Sequence, residues 1–156
     1  IMVGSPTARA AFMNWIKEVY ETHIVYRFMG EDIDGEMPHY EITALPEGFV
    51  EVERLEFPAT VAVAYENEAG DVIYFNYGFM QQGSALFLVT ENTDVVPITV
   101  NGLSGDLYLS KDPEHISNSI VWISTELNMC FNLNGFHNAT DILHMAESVS
   151  LLKTTK

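Results

Sequence analysis

Apolar residues along the chain follow two periods. Near the start, Phe12, Trp15, Ile16, Val19 and Tyr20 recur at steps of three and four, which places them on one stripe of a helix. Ser5 supplies a hydroxyl N-cap, and Pro6 occupies the first helical position, where its missing N–H costs nothing. This pattern predicts an N-terminal helix that packs on a sheet, fading near Thr22, with "HIVYRFM" after it as a short strand. Residues 30–48 hold glycine, proline and many acids. They read as an irregular acidic connection, closed by the turn chemistry of "LPEGF", Leu45–Phe49.

From there to Leu133 the period becomes two, and the chain reads as successive short strands. "TVAVAYE" places Val61, Val63 and Tyr65 on one face, "NEAG" is a turn, and "DVIYFNYGF" aligns Ile73, Phe75, Tyr77 and Phe79, so the pair predicts a hairpin. "ALFLVT" and "VVPITV" are further strands; Pro97 cannot donate to a ladder, which puts its strand at an edge or on a bulge. Asn101-Gly102 signals a hairpin turn into "GDLYLS", followed by "NSIVWIST" and "NMCFNLN". In the last of these Met129, Phe131 and Leu133 face the core, with Asn128, Cys130, Asn132 and Asn134 opposite. Short links imply antiparallel neighbours. The expected class is therefore α+β: an antiparallel sheet of several short strands, with an N-terminal and a C-terminal helix packed on it. A chain of 156 residues without internal repeats fits one domain, 1–156.

The closing stretch "NGFHNATDILHMAESV", residues 134–149, contains His137, Asp141 and His144, the residue types of a metal site. Helical periodicity after Asn138 puts Ile142, Ala146 and Val149 on one face, flanked by Leu143 and Met145. His144 then points away from that face, Asn138 is the N-cap, and Asp141 sits where an acid favours the helix dipole. His137 precedes the cap, so its spacing to His144 has no helical meaning. A capped docking helix accounts for the stretch better than a metal site, and Asn138 of the glycosylation pattern "NAT" is better explained as the cap.

Charge narrows the functions. The net charge of -15 disfavours phosphate backbones and anionic lipid as partners. The lone Cys130 excludes an internal disulfide, and a buried filler suits it better than a reactive thiol. His23, His39 and His115 are scattered without partners at ligand spacing. "EDIDGE" holds part of a calcium-loop pattern without its terminal acid, and it and "EVERLE" contain paired carboxylates of the kind glycosidases use. "YFNYGFMQQGSALF" has the aromatic and small polar composition of a groove lining, with Tyr74 and Tyr77 on opposite faces. No phosphate-binding, dinucleotide or nucleophile-elbow motif occurs, and no residue is assigned a catalytic, cofactor-binding or metal-binding role.

Taken in order, "ARAAFMNWIKEVYETHIVYRF", "LPEGF", "VTENTDVVPITVNGLSGDLYLS", "NSIVWIS" and "ILHMAESV" resemble the domain of unknown function 4367 family from Ala8 to Val149. The resemblance implies an α+β domain outside the cytoplasmic membrane, tethered in Firmicutes proteins of which some are anti-sigma-factor-like. It also implies that "IMVGS", residues 1–5, is a juxtamembrane remnant. It carries no established activity, and implies no histidine requirement at His137 or His144.

The expectation is a non-catalytic sensory or ligand-binding domain of a membrane-tethered bacterial protein. Its partner would be a small molecule, peptide or envelope protein, with no cofactor and no nucleic acid. The alternative is an interaction or structural module of the cell envelope. A metal-assisted hydrolase built on the scattered histidines and acids is the least favoured reading.

Overall fold

Trp15–Val19, at the end of the segment whose spacing predicts a helix, is a strand (β1). The computed structural model describes residues 15–29 and 35–152, so Ser5, Pro6 and Phe12 lie outside the described residues. β1 pairs antiparallel with β2, His23–Phe28, across a turn closed by the Tyr20 N–H donating to the His23 carbonyl (2.9 Å). "WIKEV" satisfies an alternating pattern as well as a helical one: Trp15 reaches apolar core and Lys17 a buried acid, and these tertiary contacts override the local spacing.

The rest is mostly β as well, which corrects the expectation of two helices on one sheet. The strands are β3 Tyr40–Ile42, β4 Val50–Glu56, β5 Thr60–Glu66, β6 Val72–Phe79, β7 Ala85–Val89, β8 Thr93–Val100, β9 Leu103–Ser110, β10 Asn118–Ser124, β11 Met129–Gly135 and β12 Val149–Leu151. Among the described residues there is one helix, α1, Ala139–Glu147. A seven-stranded antiparallel sheet runs β4-β5-β6-β11-β10-β9-β8; a second, three-stranded sheet runs β1-β2-β7, and β3 pairs with β12. The expected hairpins β5–β6 and β8–β9 are present. Pro97 lies on β8, an edge strand, where it interrupts no inner ladder. Asn101 and Gly102 both have positive φ, 49° and 85°, as the tight β8–β9 turn requires.

The large sheet is covered on both faces. On its inner face lie α1 and the β3–β12 ribbon, over a core that includes Phe75, Trp122, Phe131, Leu133 and Ile142. On the outer face the three-stranded sheet covers Tyr108, Val121, Ile123 and Cys130 with Ile24, Tyr26 and Phe28. Double coverage explains why "IVWI", Ile120–Ile123, is apolar without interruption: its odd and even residues enter different cores. It also buries Cys130 and Asn132, which the alternation of β11 places opposite the inner core.

Part of the expected acidic connection is ordered by pairing. The N–H groups of Tyr40 and Ile42 donate to the phenol oxygens of Tyr77 (3.0 Å) and Tyr65 (3.1 Å), so tyrosines rising from β6 and β5 hold β3 over the sheet. Arg54 of β4 donates to the Tyr40 carbonyl (3.0 Å) and grips Glu51 with two nitrogens. Val149, expected on the helix face, instead opens β12.

At α1 the Asn138 Oδ1 accepts the Asp141 N–H (2.8 Å), and Ile142, Met145 and Ala146 are buried. Asn138→Ala is expected to cost about 1 kcal/mol of stability by removing that cap. His144→Ala, at an exposed position, should stay within about 0.5 kcal/mol of the parent. Denaturant melts of the two variants side by side check both.

Candidate functional site

Side chains on the outer face of the large sheet form a continuous row: Leu55, Ala62, Asn76, Asn132, Val121, Asp106 and Pro97 are successive cross-strand partners. The three-stranded sheet covers the Val121–Asp106 end of this row. Where that cover stops, beside β7, the face opens into a cleft of about 220 Å³.

The floor of the cleft comes from Thr60, Asn76, Gly78, Cys130 and Asn132, and its wall from Phe28 and Leu86 of the small sheet. Glycine at 78 is required: an added Cβ would stand 2.5 Å from the Ala59 carbonyl oxygen and 2.8 Å from Thr60 Cγ2. The polar groups available are amides and hydroxyls, from Asn76, Asn132, Gln81, Thr60 and Ser84. Asn132 donates to the Ile120 carbonyl (3.2 Å), which leaves its carbonyl oxygen free of a partner among the described residues. Among the described residues no charged side chain lines the cleft, in a chain whose net charge is -15. Burial pushes the Cys130 thiol up to about 12, so it stays protonated at neutral pH and is a wall, not a nucleophile.

Under the small sheet, the same row reaches a polar network. Asp106 Oδ2 accepts from Lys17 Nζ (2.9 Å) and from the Tyr26 hydroxyl (2.7 Å). With its one proton committed there, Tyr26 accepts from the Tyr108 hydroxyl. Burial is the main cause that raises both phenols, with the Tyr108 value pushed up to about 12 and Tyr26 held neutral well above the ordinary tyrosine range. Neither is an activated base. Cavities of about 270 and 330 Å³ flank the network, but Lys17, Asp106 and Tyr26 there satisfy one another and offer a ligand little. The network docks one sheet on the other.

Its phenols make the fold sensitive to alkali. A raised folded-state value means that ionisation favours unfolding. The stability they contribute is complete below the unfolded value near pH 10 and is lost as pH rises from about 10 through about 12. We expect stability in that window to fall by up to about 1.4 kcal/mol per pH unit for each phenol, and Tyr108→Phe to flatten the slope. Denaturant titrations at successive pH values measure it.

The residues singled out in the sequence are dispersed. His137 packs on Phe49 with ring centroids 5.4 Å apart, while His144 lies beside Pro46 and Asp141. Among the described residues, no three His, Cys, Asp or Glu side chains converge as a metal group. His23 stacks between Tyr20 and Phe87, His39 stands 3.5 Å from Glu56, and His115 pairs with Asp112. Of "EVERLE", Glu51 is paired with Arg54; the "EDID" of "EDIDGE" lies outside the described residues. Tyr77 is core and Tyr74 is exposed, as their opposite faces require. "YFNYGFMQQGSALF" supplies most of the cleft, from Asn76 to Leu86, whereas Thr60 and Asn132 carry no signal of their own in the sequence. Tyr26, Asp106 and Tyr108 were equally unmarked, each lying in a segment that reads as an ordinary strand, and Lys17 lay in the segment whose spacing predicts a helix.

No helix among the described residues is long and apolar enough to cross a membrane. No curated protein and no solved structure matches the chain. Residues 39–149, which include the floor of the cleft and β7 but not β1 or β2, match the family described as "Domain of unknown function (DUF4367)". The match spans well over half of the chain, which therefore belongs to the DUF4367 family.

Proposed function

We propose that the domain is a non-catalytic ligand-binding module, the sensory part of a membrane-tethered bacterial protein outside the cytoplasm. The observation that carries the binding role is the cleft beside β7, whose described lining is uncharged in an otherwise strongly acidic molecule. Apolar floors with a few amide and hydroxyl groups are the usual make-up of binding sites for small uncharged groups. At about 220 Å³ the cleft is smaller than the roughly 300–1,000 Å³ of sites for whole drug-sized ligands, which suits a side chain or a compact group. Its floor and its wall belong to different sheets, so an occupant would bridge the large sheet and the small one, a geometry suited to reporting occupancy through β1 and the segment before it. The tethered, extracytoplasmic setting is what the resemblance of the ordered segments implies.

A thermal-shift screen of uncharged envelope-derived peptides, glycans and amides tests the proposal. A ligand at about 100 times its Kd adds about 2.7 kcal/mol, which for a domain of this size raises Tm by roughly 5–10 °C. Thr60→Phe, a strand-compatible change that fills the cleft, should abolish the shift while keeping the parent melt. Flat responses throughout, or shifts that survive Thr60→Phe, contradict it.

A further inference from the structure

Every sheet has two ends, and most strands at the ends here are guarded. β4 carries Glu51, Glu53, Arg54 and Glu56 and is broken by a bulge between Glu51 and Glu53. β8 carries Asp94 and Pro97, and β1 carries Lys17 and Glu18. Charges, proline and bulges are the devices that keep an edge strand from pairing with another chain. β7 has none of them: Ala85–Val89 reads "ALFLV", with Phe87 57% and Val89 61% exposed. Its pairing with β2 uses the backbone groups of alternate residues, as the flanking bonds from the Thr90 N–H to the Thr22 carbonyl and from the Phe28 N–H to the Ser84 carbonyl fix. The N–H and C=O of Ala85, Phe87 and Val89 therefore point to the open side, where among the described residues no strand pairs with them.

That open side borders the cleft, since Ala85 and Leu86 line it. An unguarded edge beside a side-chain-sized hollow is the arrangement used for strand addition, in which main-chain hydrogen bonds give affinity and a pocket for alternate side chains gives selectivity. We propose that the partner is an extended peptide segment that pairs with β7 and lays a small apolar side chain into the cleft. This deepens the ligand-binding reading and rests on it. Charge selects the partner. A second copy brings another -15, whereas Glu53 and Glu66 share the outer face with the cleft floor and Glu91 follows β7, so the segment is flanked by lysine or arginine. Its outward side chains meet Phe87, which is already stacked on His23 with centroids 4.5 Å apart.

The probes are an alternating valine–threonine octapeptide flanked by lysines, a glutamate-flanked twin, and a twin N-methylated at every second residue. With the lysine-flanked peptide bound, amide exchange at Ala85, Phe87 and Val89 slows at least about ten-fold, while Leu86 and Leu88 change little. The N-methylated twin, with the same side chains, binds at least about ten-fold more weakly because its donors are gone. The glutamate-flanked twin binds about ten-fold more weakly at low salt, a difference that narrows at high salt. Phe87→Pro should remove binding with β2 pairing intact, because the Phe87 N–H points to the open side. Equal binding of the N-methylated twin, or no slowing at Ala85, Phe87 and Val89, overturns the proposal. Slowing of the same amides in a peptide-free dimer also overturns it, in favour of self-pairing. If small uncharged ligands still perturb Asn76 and Asn132 while no peptide protects β7, strand addition fails and the cleft stands; if neither occurs, both fail.

Discussion

Trp122→Ala should cost about 4 kcal/mol, within the range for deleting a large buried aromatic. The indole is 3% exposed and nearly parallel to two neighbours, Phe131 at 5.2 Å and Phe75 at 6.4 Å between centroids. It lies over Gly105 on the adjacent strand, where an added Cβ would collide with the Val121 carbonyl oxygen and come within 3.0 Å of Trp122 Cβ. Because that backbone is a continuous inner ladder, the sheet cannot close around the space that alanine leaves. Against a total stability of roughly 5–15 kcal/mol, such a loss approaches the margin for folding at all. Trp122→Phe, which keeps one ring in the stack, should cost about half as much. Urea unfolding followed by circular dichroism measures both variants. A cost near 1 kcal/mol for alanine would mean that the stack is not the centre of the inner core.

Asp106→Ala is the second large effect, at about 3 kcal/mol. The substitution leaves the buried Tyr26–Tyr108 hydroxyl pair with one proton lacking an acceptor, and removes the counter-charge of Lys17. The lysine side chain is 29% exposed and turns to water, so the cost lies toward the lower end for broken buried pairs. Asp106→Asn keeps an acceptor for Tyr26 while losing the charge, and should fall between alanine and the parent. Lys17→Met should cost less than Asp106→Ala, since the acid retains the Tyr26 donor. The damage is local as well: β1-β2-β7 forms the wall of the cleft, so amide exchange in β2 and β7 should accelerate more than in β5. Uniform acceleration would show that the network does not hold one sheet on the other.

The sequence disclosed local structure and hid long-range pairing. Alternation in "TVAVAYE" and "DVIYFNYGF", the Asn101-Gly102 turn, the edge position of Pro97 and the Asn138 cap were all legible, because each rests on a few adjacent residues. The division into two sheets was not: β7 follows β6 in the chain yet pairs with β2, some sixty residues earlier, and no nearby residue records it. "WIKEV" misled because its spacing serves a helix and a strand equally, and contacts to Tyr26 and Asp106 decide between them. The three-residue strands β3 and β12 were too short for any pattern. Of the cleft, the stretch from Asn76 to Leu86 was recognisable by composition. Asn132 reads as a surface residue in the alternation of β11, and the second sheet buries it. Tyr26 and Asp106 are separated by 80 positions, beyond the reach of any motif.

The cleft beside β7 is where the domain is proposed to bind, and amide and side-chain shifts in a two-dimensional NMR fragment screen test that most directly. The account predicts that uncharged binders perturb Thr60, Asn76, Gly78 and Asn132 together, and leave His137, His144 and the residues around Lys17 unmoved. Perturbations centred on the histidines or on the Lys17–Asp106 network, with the cleft silent, would contradict it.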